Sequence, residues 1–120
     1  ENIRRIAETA HLMIDAGLVV LAAFVSPYKS DRDRVRNIVG TDNMVEIYIN
    51  TSIEECERRD VKGLYKKARK GEIKNMTGIS APYEPPLHPD IQINTEKVTI
   101  INATKQIINF INPKLILQNE

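Results

Sequence analysis

Residues 18–25, LVVLAAFV, form the longest uninterrupted apolar run in the chain. The run is far shorter than the roughly 20 apolar residues that a membrane-spanning helix needs. A short, continuous apolar run that is enriched in β-branched residues is instead typical of a strand buried on both faces, as in a parallel sheet. We therefore predict a buried strand over residues 18–25.

Outward from this run, helical and strand patterns alternate. Such alternation favours an α/β fold with a parallel sheet between layers of helices. Two short segments resemble capping boxes, Ser30 with Asp33 and Ser52 or Thr51 with Glu54 or Glu55. The predicted elements are a helix ending at Gly17, a helix from Ser30 to about Val39 closed by Gly40, a strand from Met44 to Asn50, a helix that carries Cys56, a strand from Ile91 to Asn94, and a helix with an apolar stripe (Ile100, Ala103, Ile107, Ile108, Ile111) halted near Pro113.

The composition of residues 60–86, DVKGLYKKARKGEIKNMTGISAPYEPP, favours a flap that closes over a polyanion. Several cations could share one face of a short helix, because Lys62, Lys66 and Arg69 or Lys70 recur at helical spacing. Gly63, Gly71 and Gly78 supply hinges. A cationic flap of this kind suits phosphoryl transfer, in which spreading negative charge must be neutralised and water excluded. We call residues 60–86 the lid segment. By composition alone, a basic run of this kind is more often a solvated face or a nucleic-acid patch.

The lid segment resembles that of the adenylylsulfate kinases. The resemblance continues in ENIRRIAETAHLMIDAGLVV (residues 1–20), FVSPYKSDRDRVR (24–36) and VEIYINTSIEECERRDVKGLYKKAR (45–69), and runs in order from Glu1 to about Thr95. It implies transfer of the γ-phosphoryl group of ATP, with Mg²⁺, to the 3′-hydroxyl of adenosine 5′-phosphosulfate. The product would be 3′-phosphoadenosine 5′-phosphosulfate, made during sulfate assimilation.

No G-x-x-x-x-G-K-[ST] motif occurs in the sequence. In the family this P-loop holds the β- and γ-phosphates of ATP and would lie upstream of Glu1. We therefore expect a three-layer, P-loop-kinase-like parallel sheet that is incomplete because its P-loop strand is absent. We expect residues 1–120 to be a single domain, the C-terminal portion of such a kinase, and to be inactive alone.

The resemblance also assigns residues to two ligands. For the sulfated nucleotide it implies contacts from Asn2, Arg5, Val25, Ser26, Lys62, Asn75, Met76 and Thr77, and for ATP from Arg59, Thr95 and Val98. Lys62 would meet the phosphosulfate, and the planar fork of Arg59 suits phosphate oxygens. Met76 stands where the family usually carries a Phe that stacks on adenine. This departure puts the affinity for the sulfated nucleotide in doubt, although not its class.

Ser26 has two interpretations. The corresponding serine of the family is often recorded as a phosphoserine intermediate, which would make Ser26 catalytic. The alternative is a serine whose hydroxyl or amide only binds ligand. No His or carboxylate lies beside it in the sequence to activate the hydroxyl.

Composition limits the classes of function that remain open. The net charge of +1 provides no global field for nucleic acid or membrane, and two histidines give no metal site. One cysteine precludes an intrachain disulfide and fits a reducing cytoplasm. A homodimer is left open. The alternative function is a P-loop-free module that binds an anion, a sulfated nucleotide or RNA without catalysis.

Overall fold

The computed structural model describes residues 1–115, which fall into two compact units. Unit 1 contains Glu1–Met44 and Lys74–Leu87; unit 2 contains Val45–Ile73 and, from His88, the rest of the chain. The lid segment is divided between them at residue 73. That residues 1–120 act as a single domain stays a prediction.

Two helices, α1 (Asn2–Asp15) and α2 (Lys29–Val39), pack against each other in unit 1. Ala7 of α1 and Val39 of α2 are buried. The predicted end of α1 at Gly17 is confirmed: Gly17 takes φ +85°, its amide donates to the carbonyl of Ile14, and the Leu18 amide donates to that of Met13. This pair of bonds is the Schellman motif, which favours glycine because a Cβ is strained at positive φ.

The strand predicted over residues 18–25 is wrong. The segment has no regular secondary structure, and most of its side chains are exposed, Leu21 to 89 % and Val25 to 68 %. A strand needs a neighbour for its amide and carbonyl groups. No strand among residues 1–115 pairs with it, since the parallel sheet contains only two other segments.

The predicted start of α2 at a Ser30 capping box is also wrong. The helix begins at Lys29, after Tyr28, and no side chain of its own caps it. Instead the carboxylate of Glu84, distant in sequence, accepts the Lys29 amide at 2.7 Å. A tertiary contact therefore satisfies the helix end that Ser30 would have capped. The predicted end at Gly40 (φ +91°) is confirmed.

The parallel sheet of unit 2 consists of β1 (Ile47–Asn50) and β2 (Ile91–Asn94), paired from Ile47 with Ile91 to Asn50 with Asn94. Ile93 is only 1 % exposed and anchors the core of this unit. The second strand has its predicted bounds. The first is shorter than predicted, because Met44 follows a 3₁₀ turn (Thr41–Asn43) and the Glu46 amide is bonded by the Asp90 carboxylate rather than by a strand.

Three helices complete unit 2: α3 (Ile53–Arg59), α4 (Leu64–Arg69) and α5, described over Ile100–Leu115. The predicted cap of α3 is confirmed, since Ser52 accepts the amide of Glu55. The helix α5 is described to Leu115 and includes Pro113, which leaves the carbonyl of Asn109 without an amide donor. The stop near Pro113 stays a prediction, because residues 116–120 lie outside the described part of the chain. The apolar stripe of α5 is half-buried at Ala103, Ile107 and Ile111, whereas Ile100 and Ile108 are exposed.

Candidate functional site

Unit 1 contains an open cavity of about 270 Å³ between α1 and residues 20–24, and one predicted nucleotide contact lines it. Arg5, on the first turns of α1, lines the cavity together with Ile6 and Phe24. The Arg5 side chain is largely exposed and its Nε donates to the carboxylate of Glu1 at 3.2 Å. Asn2 is exposed at the start of the same helix. The cavity therefore has an apolar wall and a cationic rim.

Val25 and Ser26 follow the cavity wall and lead into α2. The carbonyl oxygen of Ser26 accepts Nη1 of Arg32 at 2.5 Å. Within residues 1–115, no imidazole or carboxylate hydrogen-bonds the Ser26 hydroxyl. The geometry thus shows Ser26 with its backbone held and its hydroxyl without a general base, which favours binding over nucleophilic attack.

Residues 75–81 form a tight turn in unit 1. Asn75 adopts φ +57°, and the carbonyl oxygen of Met76 accepts the amides of Ile79, Ser80 and Ala81 at 2.9–3.0 Å. The Met76 amide donates to the hydroxyl of Ser80. The backbone of Met76 is thus committed within the turn, and its half-buried side chain is what remains for a ligand.

In unit 2, the predicted ATP contacts gather at the carboxyl ends of both strands. Nη1 of Arg59 donates to Oγ1 of Thr95 at 3.0 Å, and Nη2 donates to its carbonyl oxygen at 3.1 Å. The hydroxyls of Thr51 and Thr95 share a hydrogen bond, and the Val98 amide donates to the carbonyl of Asn94. The carboxyl ends of strands are where open parallel α/β sheets bind ligands.

Glu55 fixes the guanidinium of Arg59. Its carboxylate accepts Nε of Arg59 at 2.6 Å and two nitrogens of Arg58 at 2.6–2.7 Å. These hydrogen bonds, from Arg58 first and Arg59 second, lower the pKa of Glu55 to about 2. The carboxylate stays ionised at neutral pH, and the Arg59 fork is held between Glu55 and Thr95.

Lys62 does not lie on the helical face predicted for the lid cations. The helix α4 begins two residues later, and Lys62 is exposed in the turn before Gly63, which takes φ +67°. The helix starts there because the Asp60 carboxylate accepts the amides of Tyr65 and Lys66, each at 3.0 Å. Only Lys66 and Arg69 of the predicted face are helical, and Arg69 pairs with Glu57.

The sequence reasoning missed four residues that shape these sites. Arg32 and Glu84 hold the Ser26 turn, Glu55 holds Arg59, and Glu96 accepts both the amide and the hydroxyl of Ser52 at 3.1 Å. The first two act across long separations in sequence, which local spacing cannot reveal. The Glu55–Arg59 pair has the i, i+4 spacing of a helical ion pair and could have been found.

The described residues do not fit a self-contained Mg²⁺ site. Over residues 1–115 there is no group of three or more His, Cys, Asp or Glu side chains that could hold a metal ion. Magnesium at phosphoryl-transfer sites is held by one or two carboxylates and substrate phosphates. Over the same residues, no helix is long and apolar enough to cross a membrane.

Comparison with known proteins identifies the family. The family model for adenylylsulphate kinase matches residues 1–94. This chain belongs to the adenylylsulphate kinase family. The recognition made from the lid segment and the motifs around it is thereby confirmed.

Curated adenylylsulphate kinases resemble the chain over most of its length. That of Oceanobacillus iheyensis is 56 % identical over 114 residues, which are 95 % of this chain and 57 % of the relative. That of Acaryochloris marina is 53 % identical over 118 residues, which are 98 % of this chain and 58 % of the relative. The chain therefore spans less than two thirds of the curated relatives it matches.

A solved adenylylsulphate kinase shares the fold. The structure of the Mycobacterium tuberculosis APS kinase CysC in complex with AMPPNP and APS matches with a TM-score of 0.86 and 36 % identity, over 92 % of this chain and 65 % of that one. The predicted α/β, P-loop-kinase-like fold is confirmed. Its parallel sheet is small among the described residues, as expected for an incomplete fold.

Proposed function

We propose that the chain is part of an adenylylsulfate kinase that transfers the γ-phosphoryl group of ATP to the 3′-hydroxyl of adenosine 5′-phosphosulfate. The reaction yields 3′-phosphoadenosine 5′-phosphosulfate for sulfate assimilation. Family membership supports the reaction class. The ligands named for the Mycobacterium tuberculosis neighbour, AMPPNP and APS, support the two substrates.

The observation that carries the proposal is the contact of Arg59 with Thr95 at the carboxyl ends of β1 and β2. It joins two residues that family resemblance assigns to ATP, and it lies at the edge of the sheet where α/β proteins bind nucleotides. Arg59 stays fully charged and is fixed in orientation by Glu55. A cation fixed before the ligand arrives costs little reorganisation when the phosphates bind.

The sulfated nucleotide is assigned to the cavity of unit 1. Arg5 supplies charge at its rim, Phe24 supplies apolar surface, and Val25 and Ser26 follow Phe24 in the chain. Asn2, Asn75, Met76 and Thr77 are further contacts by family resemblance. Lys62, which belongs to unit 2, is the cation that meets the phosphosulfate by family resemblance alone, and it is exposed in its turn.

Catalysis on this proposal consists of positioning and charge neutralisation. The transferred phosphoryl group needs in-line placement between two bound nucleotides and cations around its oxygens. We assign Ser26 a binding role, because no imidazole or carboxylate within residues 1–115 hydrogen-bonds its hydroxyl. Mg²⁺ accompanies ATP in such reactions, and we assign no ligand for it among residues 1–115. No observation on the described residues favours the alternative of a binding module without catalysis.

We place the kinase in the cytoplasm, where ATP and a reduced Cys56 are compatible. A homodimer stays a prediction. Both are secondary to the reaction itself and do not affect its test.

The test begins with the coding sequence upstream of Glu1, where we expect G-x-x-x-x-G-K-[ST]. The full-length protein, expressed from that coding sequence, should convert adenosine 5′-phosphosulfate to the 3′-phosphorylated product with ATP. Residues 1–120 alone should not, because the amides that cradle the ATP phosphates are not among them. Product formation is measured by chromatography with labelled ATP.

Two outcomes would contradict the proposal. A full-length protein that is folded but forms no product would refute the function. Turnover by residues 1–120 within an order of magnitude of the full-length protein would refute the dependence on an upstream P-loop.

A further inference from the structure

The turn that carries Ser26 is tied to the end of the lid segment by four hydrogen bonds. Arg32 donates from Nη1 to the carbonyl of Ser26 at 2.5 Å and from Nη2 to the carbonyl of Glu84 at 2.6 Å. The Glu84 amide donates to the carbonyl of Pro27 at 2.8 Å. The Glu84 carboxylate accepts the amide of Lys29 at 2.7 Å. All these residues belong to unit 1.

Arg32 is the one buried charged side chain found within residues 1–115, at 7 % exposure. Burying a guanidinium is costly unless its donors are satisfied, since arginine does not lose its proton. Here two of its nitrogens reach carbonyl groups of segments that are far apart in sequence. The planar fork of arginine can hold both at once, whereas the single ammonium of lysine cannot fix the same geometry.

From this geometry we infer that Arg32 is a positioning residue for the sulfated-nucleotide site. It holds the backbone of Ser26, two residues after the cavity-lining Phe24, against the Glu84 segment before the nucleotide binds. The inference rests on the proposed function. It adds that the end of the lid segment and the Ser26 turn are held together as one rigid unit by the hydrogen bonds of Arg32 and Glu84.

The test is steady-state kinetics of the full-length protein with Arg32→Lys. We expect KM for adenosine 5′-phosphosulfate to rise about tenfold or more, as for the loss of a charge-assisted hydrogen bond. KM for ATP should stay within about twofold, and kcat should change less than KM for the sulfated nucleotide. Arg34→Lys is the matched control, because Arg34 is exposed on the same helix and carries the same charge. It should leave all constants unchanged.

A second pair of variants keeps the inference testable if Arg32→Lys folds poorly. Glu84 is exposed, so Glu84→Ala should fold while removing the acceptor of the Lys29 amide. It should raise KM for the sulfated nucleotide in the same direction. Glu84→Gln retains a carbonyl acceptor and should restore the wild-type value, which a loss of stability alone would not explain.

The outcomes separate this inference from the proposed function. If the wild-type full-length protein forms no product, the function and this inference both fall. If it is active and Glu84→Ala matches wild type, or if KM for ATP rises as much as KM for the sulfated nucleotide, only the positioning role is refuted.

Discussion

Glu55 is a carboxylate whose ionisation is linked to the folded state. Hydrogen bonds from Arg58 and Arg59 lower its pKa from the ordinary 4.5 to about 2. A lowered pKa in the folded state stabilises the fold above the unfolded value, and this stabilisation is lost as pH falls from about 4.5 towards 2. The contribution should therefore be complete at neutral pH.

Glu55→Gln tests that linkage. The variant should unfold at lower urea concentration than wild type at pH 6–8, and the difference should shrink between about pH 4.5 and 2. Glu54→Gln, at the exposed neighbouring position of the same helix turn, should show a smaller and flatter difference. A Glu55→Gln difference that is constant from pH 7 to pH 2 would contradict the lowered pKa.

Lys62 and Lys70 are both exposed cations at opposite ends of α4. If Lys62 meets the phosphosulfate, Lys62→Ala in the full-length protein should lower kcat/KM about tenfold or more. Lys70→Ala should lower it by less than about fivefold, as for an exposed charge. Equal effects of the two variants would remove the distinction that family resemblance draws between them.

Short helices here begin where a distant or local acceptor satisfies their first amides. The helix α4 has only six residues, and the Asp60 carboxylate accepts two of its amides. Asp60→Ala should therefore cost about 0.5–2 kcal/mol of unfolding free energy, the usual range for a lost cap. Asp42→Ala, an exposed acidic position in the 3₁₀ turn, serves as control. Urea unfolding measures both, and equal midpoints would show that Asp60 is not a cap.

Local sequence motifs correctly predicted the ends of helices that are set by residues close in sequence. The Schellman end at Gly17 and the Ser52–Glu55 cap are of this kind. Local motifs failed at Lys29, which is capped by Glu84, and at residues 18–25, which have no strand partner within residues 1–115. The candidate site residues show the same contrast between local motifs and long-range contacts. Arg59 and Thr95, which family motifs predict to meet ATP, lie in contact, whereas Arg32 makes contacts across the sequence that no local spacing encodes.

Unit 1 exposes a continuous run of apolar side chains over residues 18–25. Within unit 1, residues 18–25 combine exposed Leu, Val and Phe side chains with backbone groups that no strand pairs. Family relatives are longer than this chain, and a strand contributed by the proposed upstream residues would pair with this segment. Strand pairing and solvent exposure should therefore differ most between residues 1–120 and the full-length protein at residues 18–25.

An extended, uncharged segment without proline has the composition of cross-β aggregates. With a net charge of only +1, repulsion between copies is weak. Residues 1–120 should therefore form oligomers in a concentration-dependent way that light scattering detects, and Leu21→Lys should suppress them by placing a charge on the segment. Thr41→Lys adds the same charge at an exposed position elsewhere and should not. If both variants scatter alike, self-association begins at another surface. If only Leu21→Lys stays monomeric, self-association begins at residues 18–25.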